Sequence, residues 1–250
     1  MIRAAVSSLA LILAAGSIHA APPSPAIAAA VADPTRPAAD RDRDAARKPA
    51  EMLAFAGVKP GMVVVDMLPG GGYFTRLFSD MVGPTGKVVA YVPDETLARF
   101  PKALDGLNAI AAEPAHKNVQ VEHNPVMAPG PDNVADVVWT SQNYHDLHNM
   151  AGVDLVAFNK LVFRSLRPGG VYVVLDHAAA AGSGASATKT LHRIDAATVR
   201  QEAEAAGFVF DGESNALANP ADPRTAAVFD PSIRGHTDQF VLRFRKPGGK

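Results

Sequence analysis

Short apolar runs rich in β-branched residues recur along the chain and alternate with segments of helical spacing. These runs occupy residues 62–66, 87–92, 134–140 and 171–175, with a weaker one at 119–122. A strand that is apolar on both faces must be covered on both faces, so such runs are typical of a parallel sheet between two layers of helices. The alternation of strands and helices therefore predicts a doubly wound α/β fold.

The last part of the chain departs from this alternation. A helix is predicted over 195–206 with Asp195 as its N-cap, and apolar runs follow at 208–210 and 240–244 without a helix between them. Because no crossover helix joins these two strands, the final strand must be antiparallel. We predict a Rossmann-like, mostly parallel seven-stranded sheet with an antiparallel last strand. The intervening segment 215–236 is predicted to be an irregular loop, and loops of this length are often functional.

The first 40 residues are predicted to lie outside the folded domain. Residues 1–20 combine a basic start, an apolar run at 9–15 and a small-residue end, which is the pattern of a cleaved secretory signal peptide. Residues 21–40 are rich in Pro and Ala and lack an apolar period, which predicts a flexible tether. The domain is expected over 41–250, and the protein is expected to be periplasmic or secreted.

The composition excludes several kinds of chemistry and partner. The chain has no cysteine, which excludes thiolate metal sites and cysteine nucleophiles. Its formal net charge is -1 and it has no basic block, so no nucleic-acid partner is expected. The apolar run near the N-terminus is shorter than the ~20 residues of a membrane-spanning helix, so no stable membrane insertion is predicted.

The segment 63–75 places a strand, an acidic residue, a glycine-rich turn and a helix in that order. Asp66 ends the strand, and Gly70, Gly71 and Gly72 form the turn. A turn without side chains lets a ligand approach the backbone, and the helix N-terminus attracts negative charge. The spacing matches neither the dinucleotide fingerprint nor the phosphate-binding loop. The glycines alone leave a ligand site and tight strand-to-helix packing as open alternatives.

This segment is similar to the first motif of the class I S-adenosylmethionine-dependent methyltransferases, an acidic residue followed by alternating glycines. Asp66, Gly70 and Gly72 match that motif, and Leu68 stands in place of its first glycine. The run GPTGKVVAYV resembles the family's second strand, ADVVWTSQNYHDLHN its fourth-strand motif, and LRPGGVYVVLDH its helix-to-fifth-strand signature. With the terminal strand pair, the resemblance covers roughly residues 45–246.

The combination of PGGGY, NYHD, the DH pair after the fifth strand and HTDQFVLRFRKP resembles a bacterial group of exported, predicted methyltransferases. The resemblance implies S-adenosylmethionine as the cofactor and the following cofactor-binding residues: Asp66, Gly70, Gly71, Gly72, Asp94 and Asn143. The family usually ends its second strand with an acid that binds both ribose hydroxyls, whereas this chain has Val92 there and Asp94 nearby. A lost polar contact costs about 1 kcal/mol of binding energy.

The residues after the fourth strand, 142–148, are expected to line the crevice at the carboxyl edge of the sheet. Tyr144, His145 and Asp146 are predicted to face the acceptor as catalytic residues. His145 or Asp146 would act as the general base, since histidine titrates near neutral pH. The alternative is a hydrogen-bonded loop in which Asp146 caps the next helix. His177, at the end of the fifth strand, is either a second candidate base or a structural hydrogen-bonding residue.

Histidines and carboxylates near this edge also raise the question of a metal ion. The candidate ligands are His145, Asp146, His148, Asp176 and His177. Their spacing matches no established metal motif, so we predict no metal site. Residues 192–195 could face the same edge, although helix capping by Asp195 is the preferred interpretation.

The sequence thus predicts an enzyme that transfers a methyl group from S-adenosylmethionine to a small or medium-sized acceptor. The alternative is an exported, non-catalytic small-molecule-binding protein on the same fold. Hydrolysis by the His and Asp residues ranks last, because the chain lacks a serine elbow.

Overall fold

The computed structural model describes residues 23–128 and 130–248. The predicted signal peptide over 1–20 lies outside the described residues. Within those two ranges, no helix is both long enough and apolar enough to cross a membrane.

One seven-stranded sheet, in the order β3-β2-β1-β4-β5-β7-β6, forms the centre of the described structure. Its strands are β1 (Val63–Met67), β2 (Lys87–Pro93), β3 (Val119–Asn124), β4 (Ala135–Ser141), β5 (Leu166–His177), β6 (Val209–Ser214) and β7 (Gln239–Arg245). Strands β1 to β5 pair in parallel, and β7 lies antiparallel between β5 and β6. This topology confirms the predicted fold class.

Helices cover both faces of this sheet. Over the described residues they are α1 (Pro25–Ala32), α2 (Ala38–Arg41), α3 (Asp44–Arg47), α4 (Pro49–Ala56), α5 (Tyr73–Val82), α6 (Asp94–Arg99), α7 (Asp105–Ala112), α8 (Tyr144–Leu147), α9 (Leu155–Ser165) and α10 (Ala196–Ala205), with a 3-10 turn at Pro114–His116. The segment after β2 forms two helices, α6 and α7. Phe100 between them lies outside the helical region, with φ -129° and ψ 78°, and Pro101 follows it.

The sheet separates two apolar clusters. Val64 and Trp139 belong to the cluster under α4, α5 and α7, whereas Met67 and Val138 belong to the cluster under α9 and α10. Because successive strand residues point to opposite faces, the continuous apolar runs of the sequence supply both clusters. The parallel strands therefore bring all of their carboxyl ends to one edge of a sheet that helices cover on both faces.

The predicted flexible tether over 21–40 is wrong for its described part, because α1 packs into the core. The side chains of Ile27 and Ala30 are 6% and 5% exposed and belong to the cluster that contains α5. Ser24 caps the helix by accepting a hydrogen bond from the Ile27 N–H at 3.4 Å. One apolar stripe at helical spacing is sufficient to dock this helix, and the surrounding alanines hid that stripe because they are apolar on every face.

Candidate functional site

The glycine turn lies at the carboxyl end of β1, where it begins α5. Leu68, Gly70 and Gly72 all have left-handed backbones, with φ of 54°, 57° and 82°. A Cβ on Gly72 would lie 2.2 Å from the Ile110 Cδ1, so Gly72 also permits close packing of α7. Gly70 and Gly71 are exposed, and a Cβ on either would meet no atom within 4 Å. The turn therefore provides close packing at Gly72 and leaves the backbone open at Gly70 and Gly71.

Asp66 lies directly before this turn and is 2% exposed. Burial raises the pKa of Asp66 to about 7, although the hydroxyl of Thr75 and the charge of Arg47 act in the opposite direction. Thr75 donates a hydrogen bond of 2.6 Å to the Asp66 Oδ2. This environment holds a carboxyl group that changes its charge state near neutral pH at the edge of the sheet.

Arg47, which the sequence analysis missed, brings a guanidinium to the same turn. It lies 4.6 Å from the ring centroid of Tyr73 and 5.1 Å from that of Phe74, both at the start of α5. It also donates a hydrogen bond of 3.1 Å to the Ser141 Oγ at the end of β4. The charged run at 41–48 just before α4 was the only signal for this position, because Ser141 is 94 residues away in the chain.

Asn143, a predicted cofactor-binding residue, holds the glycine turn in place. Its Nδ2 donates a hydrogen bond of 2.7 Å to the Leu68 carbonyl, and its Oδ1 accepts one from the Thr140 hydroxyl. Asn143 is only 9% exposed, so it stabilises the turn from the buried side.

Tyr144 does not face the acceptor, and the prediction that it does is wrong. Its side chain is fully buried, and its hydroxyl donates to the Glu202 Oε2 at 2.7 Å and accepts from the Asn159 Nδ2 at 2.8 Å. Burial raises the pKa of Tyr144 well above its ordinary value. Tyr144 and His148 lie one helical turn apart and both contact Glu202, so this face of α8 packs against α10 instead of the crevice.

His145 lies on a different face of α8 from Tyr144 and contacts the end of β5. Its Nδ1 is 2.8 Å from the Asp176 Oδ1, and its backbone N–H donates to the Asp176 Oδ2 at 2.8 Å. Burial lowers the pKa of His145, but the charge of Asp176 and the hydrogen bond to it more than offset this, so the pKa is raised. The neighbouring carboxylate of Asp146 is partly exposed.

A cavity of about 420 Å³ lies beside these groups, and His177 lines it. Arg47 and Gln142 also line the cavity, together with Val228 and Phe229 from the predicted irregular loop 215–236. The His177 Nδ1 is 2.8 Å from the Thr237 hydroxyl, and burial lowers the pKa of His177 to about 4. His177 is therefore a neutral imidazole that faces a space of small-molecule size.

The end of β2, where the sequence comparison placed the ribose-binding acid, is buried, whereas the glycine turn is exposed at Gly70 and Gly71. Val92 is 3% exposed and belongs to the core, so no polar group is offered there. Asp94 begins α6 at the same carboxyl edge, and its Oδ1 lies 2.8 Å from the Nδ1 of an exposed His123. Asp94 thus remains accessible at the predicted ribose end of the site.

No protein-family model matches the chain. The chain is 31% identical over 125 residues to the ubiquinone/menaquinone biosynthesis C-methyltransferase UbiE of Hydrogenovibrio crunogenus, a match that covers 50% of this chain and 45% of that protein. It is 35% identical over 123 residues to UbiE of Pasteurella multocida, covering 48% of this chain and 42% of that protein. The chain thus spans less than half the length of these two curated relatives.

The chain is also similar in structure to a SAM dependent methyltransferase from Aquifex aeolicus, with a TM-score of 0.54 and 20% sequence identity. This match covers 82% of the chain and 98% of the Aquifex protein. The chain therefore has the fold of the class I methyltransferases, as its sequence resemblance predicted.

Proposed function

We propose that this chain, which has the class I methyltransferase fold, transfers a methyl group from S-adenosylmethionine to a small-molecule acceptor. The observation that carries the proposal is the open backbone of Gly70 and Gly71 beside the buried Asp66, at the carboxyl edge of the sheet. This is where open α/β sheets bind their ligands. The partial similarity to C-methyltransferases supports the same assignment.

The charges at the turn fit the amino-acid end of this cofactor, which carries both an ammonium and a carboxylate. Asp66 offers a carboxyl group whose charged form an ammonium would stabilise, and Arg47 offers a guanidinium for a carboxylate. Gly70 and Gly71 leave room for the ligand against the backbone, and Asp94 is an exposed acid at the neighbouring strand end. The bound cofactor would supply a methyl group already activated by its sulfonium.

The acceptor is proposed to occupy the cavity that His177 lines. A volume of about 420 Å³ lies within the range of small-molecule sites, ~300–1,000 Å³. When the His177 Nδ1 donates to the Thr237 hydroxyl, its Nε2 lone pair is free to accept a hydrogen bond from the acceptor nucleophile and so orient it. Gln142 borders the same space and would orient a polar group of the acceptor.

Calorimetric titration with S-adenosylmethionine and with its demethylated product tests the assignment. We expect a dissociation constant below about 100 μM, which corresponds to roughly -5.5 kcal/mol. Gly71→Val should weaken binding at least tenfold by filling the open turn. Gly106→Val, at an exposed glycine of α7 that also has no atom within 4 Å of its Cβ position, is the matched control.

Absence of binding for both compounds would overturn the proposal. A different small molecule identified by mass spectrometry of the denatured protein would then favour the non-catalytic alternative. Binding that survives Gly71→Val unchanged would remove the glycine turn from the cofactor site.

We also propose that the chain acts outside the cytoplasm, because residues 1–20 have the pattern of a cleaved signal peptide. N-terminal sequencing of the protein from the periplasmic fraction should then begin at Ala21. Recovery in the cytoplasm with Met1 intact would contradict export.

A further inference from the structure

Three side chains from two separate segments meet beside the end of β5. The His145 Nε2 lies 3.3 Å from the His192 Nδ1 and 3.5 Å from the Asp146 Oδ1. The His192 Nδ1 lies 3.7 Å from the same Asp146 oxygen. Ligand atoms about 2.0–2.1 Å from a tetrahedral zinc ion lie about 3.3–3.4 Å from one another. The triangle formed by these three atoms therefore has nearly the dimensions of one face of such a site.

We propose that His145, Asp146 and His192 form a binding site for one divalent transition-metal ion. This departs from the sequence-based expectation of no metal, which considered His148 and His177 but not His192. The structure replaces those two candidates, since His148 contacts Glu202 and His177 contacts Thr237. The inference does not depend on methyl transfer.

The lone pair of His145 is directed into this triangle by Asp176. Both Asp176 oxygens accept backbone hydrogen bonds, from the His145 N–H and the His177 N–H, and the side chain is fully buried. The His145 Nδ1 must therefore donate to Asp176, which leaves the Nε2 as an acceptor or ligand. A carboxylate that orients a histidine in this way is the usual support of a metal-bound imidazole.

A hydrogen bond between the two imidazoles accounts for only one side of the triangle. The distances of 3.5 Å and 3.7 Å from the Asp146 oxygen to the two histidine nitrogens are too long for good hydrogen bonds. An ion at the centre would interact with all three groups and would neutralise the carboxylate. The bare hydrogen-bonded pair is the competing explanation that the experiment must exclude.

The donor set favours zinc-like ions over magnesium or calcium. Two imidazole nitrogens and one carboxylate oxygen suit Zn²⁺ and Co²⁺, whereas Mg²⁺ and Ca²⁺ prefer oxygen ligands throughout. The side chains of His192 and Asp146 are 33% and 44% exposed, so the fourth coordination position faces solvent. Three protein ligands with an open fourth position are typical of a site that binds an exchangeable oxygen ligand.

Titration of tag-free, chelator-treated protein with Zn²⁺ tests the site by calorimetry. We expect one equivalent to bind with a dissociation constant below about 1 μM, and Co²⁺ to give the visible absorption of a tetrahedral ion. His192→Ala and Asp146→Asn change partly exposed side chains and should weaken Zn²⁺ binding at least tenfold. His123→Ala is the matched control, because His123 is an exposed imidazole beside a single carboxylate, that of Asp94.

Zn²⁺ affinity in His192→Ala equal to that of the wild type would overturn the proposal. So would a wild-type protein that binds no Zn²⁺, or a loss of binding in His123→Ala as large as in His192→Ala. Asp176→Asn should weaken binding by ~10–100-fold, as for other carboxylates that support a ligand. Circular dichroism confirms that each variant is folded before its titration is interpreted.

Discussion

The Tyr73 hydroxyl donates a hydrogen bond of 2.6 Å to the Asp44 Oδ1, which ties the N-terminal segment to the first residue of α5. Asp44 is also held by both terminal nitrogens of Arg36, at 2.7 Å and 2.8 Å. Burial, and then the bond to Asp44, raises the pKa of Tyr73, so the phenol remains a donor at all physiological pH values. Through these contacts the segment before α4 positions Arg47 over the glycine turn.

Ile27→Ala tests whether α1 belongs to the folded domain. Removing a core side chain that is 6% exposed should lower the free energy of unfolding by about 2–4 kcal/mol. Val209→Ala, at an apolar residue that is 56% exposed, should change it by less than about 0.5 kcal/mol. Equilibrium urea unfolding measures both. Equal free energies of unfolding for Ile27→Ala and the wild type would instead support the prediction of a flexible tether over 21–40.

Asp66→Asn tests how much the buried negative charge of Asp66 lowers the stability of the protein. The folded-state pKa of about 7 lies above the unfolded value of about 3.9, so the native state binds more protons between these pH values. Wild-type stability should therefore fall as pH rises from about 4 to about 7 and then level off. Asn keeps an acceptor for the Thr75 hydroxyl without the charge, so the variant should be more stable by about 2–4 kcal/mol at pH 8.

Thermal unfolding of Asp66→Asn across this pH range should be flatter than that of the wild type, while its affinity for S-adenosylmethionine falls. Asp132→Asn, at an exposed carboxylate paired with Arg164, provides the control and should follow the wild-type curve. A free energy of unfolding that rises from pH 4 to pH 7 in the wild type, but not in Asp66→Asn, would contradict the sign of this shift.

Tyr144→Phe tests the structural position of that phenol. Loss of its hydrogen bonds to Glu202 and Asn159 should cost about 1–2 kcal/mol of stability and leave cofactor affinity unchanged. Tyr172→Phe should instead be neutral or stabilising, because the buried Tyr172 hydroxyl has no hydrogen-bond partner among the described residues. If Tyr144→Phe instead lost cofactor affinity at unchanged stability, Tyr144 would belong to the ligand site.

Arg193→Met tests the buried ion pair that anchors the loop 215–236. The Arg193 Nη1 lies 2.8 Å from the Asp222 Oδ2, both side chains are fully buried, and Arg193 also donates to the carbonyls of Ala178 and Ala226. Leaving Asp222 uncompensated should cost about 3–5 kcal/mol. Arg200→Ala breaks an exposed pair with Glu204 and should cost at most about 1 kcal/mol. Similar denaturant midpoints for the two variants would refute the anchoring role.

Local patterns determined the sheet, its antiparallel end and the helix cap, because each depends on neighbours within a few residues. The periods of strands and helices are visible in consecutive side chains. Asp195 caps α10 by accepting a hydrogen bond of 3.1 Å from the Ala197 N–H, two residues away. Leu68 was correctly assigned to the glycine turn, where its left-handed backbone is held by Asn143. The sequence also located the carboxyl edge of the sheet, since parallel strands end together.

Only the tertiary structure decided which side chains meet at that edge. His145 finds Asp176 31 residues away and His192 47 residues away, and Arg47 finds Ser141 across 94 residues. Tyr144 and His145 are adjacent in the chain, yet α8 turns one toward Glu202 and the other toward Asp176. The docking of α8 between β5 and α10 sets these directions, and packing between distant elements leaves no periodic trace in the sequence.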